Sequence, residues 1–132
     1  MTDISDAGDL IATAREALLS ELLPALPEER RYIGLMIANA MAIAERERRL
    51  GSATAEREAA RLRNVLATVG FPAAPTSGVS PLADLTALRQ AITAAIRAGH
   101  FDTPASEAVL VAELLRTAAD RVAISNPKAL HP

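Results

Sequence analysis

The residues able to do chemistry are few. The chain has two histidines, seven serines and no cysteine, which excludes disulfides, thiolate metal sites, iron–sulfur clusters and cysteine nucleophiles. His100 follows Gly99 at a predicted helix end, where a cationic ring suits the dipole, and His131 is next to last. A metal site shared by the two histidines would need further ligands at suitable spacing, and none is evident, so no metal site is expected. Ser5, Ser20, Ser52, Ser77, Ser80, Ser106 and Ser125 lack a G-x-S-x-G setting. Neither G-x-G-x-x-G nor G-x-x-x-x-G-K-[ST] occurs, so no nucleotide fingerprint and no cofactor is indicated. No residue set reads as catalytic.

Polar residues on apolar stripes are the remaining candidates. Advancing 100° per residue, Glu47 falls in the middle of the stripe Ile33, Met36, Ala40, Ile43 and Ala44. Asn39 and Arg46 border that stripe. Glu21 falls between Leu10, Ala14 and Leu18, and Arg121 and Ser125 border the apolar face of the last helix. A buried charge must be paired and hydrogen-bonded, so Glu47 or Glu21 is expected to meet Arg46 or Arg121. Such a network is either a structural ion pair or the lining of a polar cavity or partner site.

The elements that would position these groups are helices. The core must come from Leu, Ile, Val, Met and Ala, because Tyr32, Phe71 and Phe101 are the only aromatic residues; that composition favours helix over sheet. A first helix is predicted from Asp6 to Leu23, ended by Pro24 and Pro27. A second is predicted from Pro27 or Glu28 to Gly51. Its Tyr32–Ala44 segment is apolar all round and too short for a bilayer, which needs about 20 residues, so it is expected to be the most buried helix or to meet a second copy. Gly34, Ala38 and Ala42 recur every fourth residue on the other side, able to seat a helix of the same chain or a two-fold partner.

A third helix is predicted over Thr54–Val69, with Leu62, Val65, Leu66 and Val69 inward and Arg57, Arg61 and Asn64 in solvent. The Pro/Gly-rich segment 71–81 reads as a loop. A fourth helix is predicted after Asp84 as N-cap, ending at Gly99. A fifth is predicted from Thr103-Pro104 to Asn126-Pro127, with Val111, Leu114, Leu115, Ala118 and Val122 inward and Glu113, Arg116 and Asp120 as an exposed ladder. The expected fold is an all-α, single-domain bundle of about five helices over residues 1–132.

The net charge is −2. Eight Arg against six acids in residues 26–64 is the most basic balance along the chain, too weak a field for nucleic acid. Residues 1–10 hold three Asp and no basic residue, unlike a secretory signal. The expectation is therefore a cytoplasmic protein with neither nucleic-acid nor membrane partners.

Four segments carry a family resemblance: GluLeuLeuProAlaLeu at 21–26, AsnAlaMetAlaIleAlaGluArgGlu at 39–47, AlaAlaIleArgAlaGly at 94–99 and AspArgValAlaIleSerAsnPro at 120–127. Together they resemble a family of short bacterial proteins of unknown function, encoded beside aminoglycoside-phosphotransferase-like kinases and acyl-CoA dehydrogenases. The resemblance implies an accessory role in acyl-CoA catabolism beside such a kinase. It brings no catalytic residues, and its recurring polar positions match Asn39, Arg46 and Asn126. The resulting expectation is a non-catalytic interaction subunit of a kinase-like enzyme, with a homodimer as a further option. The alternative is a small-ligand or acyl-thioester-binding protein with an internal polar cavity. Asn39, Arg46, Glu47, Arg121 and Asn126 are the expected partner or ligand residues.

Overall fold

The computed structural model describes residues 6–73 and 75–131. Residues 1–5 of the acidic N-terminal segment, Ser5 among them, Ala74 of the 71–81 loop and Pro132 lie outside these. The described residues form helices and no strand. The α-helices are α1 (Ala7–Ala17), α2 (Glu28–Thr68), α3 (Pro81–Arg97) and α4 (Pro104–Ser125). There are four rather than about five, because the predicted second and third helices are one 41-residue helix. Gly51 does not end it and Thr54 does not start a new one. A glycine inside a helix costs only about 1 kcal/mol relative to alanine, which good helix formers on both sides offset.

The other boundaries follow local chemistry. Asp6 caps α1, accepting from the Asp9 backbone N–H at 2.9 Å. A π turn over Leu18–Leu22 and a 3-10 turn over Leu23–Ala25 continue from α1, and Pro27 stands just before α2. Gly70 and Gly99 take positive φ of 69° and 84° after α2 and α3. The cap of α3 is Ser80, with Pro81 at the first position, and not Asp84. Asp84 lies one turn further on and accepts from the Ser77 backbone N–H at 2.8 Å. Thr103 caps α4 as expected, its hydroxyl accepting from the Ser106 N–H at 3.2 Å.

The chain divides into two compact units. The first comprises the residues up to Gly51 with Ile124–Asn126. Here α1 and its trailing turns run antiparallel to the first part of α2. A Cβ on Gly34 would lie 2.9 Å from Leu23 Cδ1 and 3.1 Å from Leu26 Cδ1. Ala38 is buried, and its carbonyl accepts from Arg15 Nε at 3.0 Å. Near the other end of α1, Gly8 is buried beneath the Arg48 guanidinium, which pairs with Asp6 at 3.7 Å. The small-residue face is thus used within the chain. As a consequence Tyr32, Ile33, Leu35, Met36 and Ile37 are all exposed, Tyr32 to 71 %. In the single chain this is not the most buried helical segment.

The second unit comprises Ser52–Ala123 with the residues from Pro127 onward. Its core joins Ala59, Leu62, Val65 and Leu66 of α2 to Leu85, Leu88, Ile92 and Ala95 of α3, closed by Phe101. Leu66 and Leu88 are wholly buried. Phe71 meets the His100 ring edge-on at 5.1 Å. Helix α4 adds Val109 and Leu110 to the margin of this core.

Candidate functional site

Helix α4 is turned about half a revolution from the expected phase. Val111, Leu114 and Leu115 are exposed, Leu115 to 67 %, and Ala118 is exposed beside them. Glu113, expected in solvent, is 3 % exposed. The cause is Arg61, which lies on the inner side of α2 and not in solvent. Its Nε donates to both Glu113 carboxylate oxygens at 2.9 and 3.1 Å, and Nη2 donates to Asp120 Oδ2 at 2.8 Å. Thr117 Oγ1 donates to Glu113 Oε1 at 3.3 Å. Burial disfavours the Arg61 charge, but hydrogen bonds and charge from Glu113 and Asp120 outweigh it and raise its pKa above the ordinary arginine value. A carboxylate with a fork of donors is a satisfied buried ion, so this network is structural glue. It fixes α4 by its polar side and leaves the leucine stripe outward.

A second pair, Arg89 Nη2 to Glu58 Oε2 at 2.7 Å, ties α3 to α2. Neither network was anticipated. The available signal was the line Glu113, Thr117 and Asp120 at i, i+4 and i+7, which reads equally as a solvated ladder.

The expected site residues are placed as follows. Glu47 is exposed, its carboxylate lying back toward Gly51. It has not turned to the core, because α2 buries the Gly34–Ala38 side instead. Asn39 is exposed and Arg46 half-buried on the same edge of α2. Arg46 Nε donates to the Ile124 carbonyl at 2.7 Å, two residues before the exposed Asn126. Arg46 and the α4 terminus are therefore brought together. Arg121 is exposed, one edge over from Leu114. Glu21 is also exposed. No internal ion pair joins Glu47 or Glu21 to Arg46 or Arg121 among the described residues.

One cleft, of about 380 Å³, lies in the second unit between α2 and the start of α3, lined by Glu56, Arg63, Val79, Ser80 and Asp84 among others. The Arg63 Nη2 atom is buried with no hydrogen-bond partner among the described residues. The Asp84 carboxyl is held below its ordinary pKa, first by the Ser77 hydroxyl and backbone N–H and then by the charge of Arg63. Among the described residues no group of three or more His, Cys, Asp or Glu could hold a metal ion, and no helix is long and apolar enough to cross a membrane.

A family described as a domain of unknown function, DUF6285, matches residues 24–129, and the chain belongs to it. No curated protein and no solved structure matches the chain.

Proposed function

We propose that this member of the family is a non-catalytic interaction subunit whose α4 stripe docks a protein partner. The observation that carries the reading is the reversed phase of α4, with Glu113 buried and Val111, Leu114, Leu115 and Ala118 outside. Exposed apolar stripes of this kind mark association surfaces. Arg121 at the edge of the stripe supplies a polar group for the rim, where hydrogen bonds set register. The partner, on the resemblance carried together by segments 21–26, 39–47, 94–99 and 120–127, is a kinase-like enzyme of acyl-CoA catabolism.

Co-expression with an aminoglycoside-phosphotransferase-like kinase, the class the resemblance implies, tests this. The wild type should co-purify with the kinase, and Leu115→Glu should not, while its far-ultraviolet circular dichroism stays the same. Equal recovery of the kinase with Leu115→Glu would sink the reading.

The orphaned Arg63 nitrogen favours a second reading, a small-ligand site in the cleft beside Ser80 and Asp84. A buried donor without a partner calls for an unseen acceptor, which the carboxylate of a short acyl chain would supply. Calorimetric titration with butyrate should give binding that Arg63→Met removes; absence of heat with the wild type refutes it.

A further inference from the structure

The first unit has an unfinished core. Its buried residues among those described are Gly8, Gly34, Ala38 and Ile124, so Ile124 is the one large apolar side chain buried there among the described residues. On the opposite side of α2, Tyr32, Ile33, Leu35, Met36 and Ile37 are each about half exposed or more. They present roughly 500 Å² of apolar surface, taking about 200 Å² for a fully exposed side chain of this size. A standard dimer interface covers about 800 Å² per partner, a little over half of it apolar, so this face alone supplies the apolar part of one. We propose that a second copy of this chain covers it, with the two α2 helices antiparallel across a two-fold axis near Ala38.

Three features select a second copy over an unrelated protein. First, the face is self-complementary in size. Antiparallel pairing about Ala38 sets Met36 against Ala40 of the second copy and Ile33 against Ile43, so bulky residues meet small or matching ones as knobs meet holes. Second, one edge of the face carries Glu28 near its start and Arg46 near its end, with Leu35 and Asn39 between. The same edges meet across such a two-fold, which brings Glu28 within about 3 Å along the axis of Arg46 of the second copy, twice by symmetry. Within its own chain Arg46 is held by the bond from its Nε to the Ile124 carbonyl at 2.7 Å. Third, the flanking clusters Glu28-Glu29-Arg30-Arg31 and Glu45-Arg46-Glu47-Arg48-Arg49 mix signs, so no single-sign field favours a strongly charged partner. The pairing has one unfavourable element: Glu29 meets Glu47 of the second copy at each end. Glu47 thereby has a role, as a carboxylate that weakens and tunes self-association.

The composition makes the test clean. Sedimentation equilibrium of the full chain should give a dimer. Tyr32 is the only tyrosine and there is no tryptophan, so its emission should change on dilution through the dissociation range. Ile37→Glu should be monomeric with unchanged helical circular dichroism. Glu28→Arg should raise the dissociation constant about fivefold, from two symmetric exposed ion pairs, and Glu47→Gln should lower it severalfold. Because the chain has no cysteine, Met36→Cys introduces a single thiol that a bismaleimide should link to its twin. Glu47→Cys should not link to itself but should link to Glu29→Cys when the two are mixed. A monomer at every concentration, a dimer that survives Ile37→Glu, or self-linking by Glu47→Cys would each overturn the proposal.

Discussion

Replacing Arg61 with alanine would leave the Glu113 carboxylate, 3 % exposed, with only the Thr117 hydroxyl as donor at 3.3 Å. Removing one partner of a buried pair costs about 3–5 kcal/mol. The Arg61 side chain keeps 21 % of its exposure, so water can enter the vacated space and the lower end, about 3 kcal/mol, is expected. With an unfolding entropy of about 2.1 cal/mol/K per residue over the whole chain, that is a fall of about 10 °C in melting temperature. The assay is thermal unfolding followed by circular dichroism, checked by urea titration. The triple variant Arg61→Met, Glu113→Met, Asp120→Asn removes all three charges and should recover most of the loss, since neutral groups of similar volume replace a buried ionic network at little cost. A loss below about 0.5 kcal/mol for Arg61→Ala, the value of an ordinary surface change, would refute the buried network and with it the phase given to α4.

Gly51→Ala should stabilise the protein by about 0.5–1 kcal/mol, because a helix-interior glycine carries an entropic cost and the new Cβ meets only the movable Glu47 carboxylate at 3.0 Å; urea unfolding reads this directly. Ala38→Leu should cost about 1–3 kcal/mol by overpacking, since Ala38 is 2 % exposed, and should lower the melting temperature. The folded-state pKa of Asp84 is depressed by Ser77, so its stabilising contribution is present above the ordinary value of 3.8 and is lost as pH falls through the lower folded value. Carbon-detected NMR should place its midpoint below 3.8, and Ser77→Ala, which removes the hydroxyl but keeps the N–H, should move it part of the way back.

What could be read from the residues was local. Thr103-Pro104, Gly70, Gly99 and Pro27 mark helix ends because capping and φ restriction act within a few residues. The Leu62–Leu66 and Leu85–Ile92 faces were equally legible, each being apolar on one side only. Helix α4 was not. It carries Val109 and Leu110 on one side and Val111, Leu114 and Leu115 on the other, and Arg61, more than fifty positions away, decides between them. The same ambiguity affects Tyr32–Ala44, where Leu23 and Leu26 select the Gly34 side. That choice moved Glu47 from the expected interior to the surface, while Asn39 and Arg46 remained on the edge assigned to them. Asp84 and Ser80 are both good caps, and Pro81 favours Ser80 because proline fits the first helical position.

The uninterrupted hydrogen-bond ladder through Gly51 also bears on the order in which the chain forms. Starting a helix is costly, whereas adding a residue to an existing end takes about a nanosecond. Whichever unit organises first gives the other a finished helix end to grow from. The later unit then builds its share of α2 by elongation alone and never has to nucleate it. Pulse-labelled hydrogen exchange during refolding would record this as a protection front that crosses Gly51 in one direction, and the direction would reveal which unit forms first.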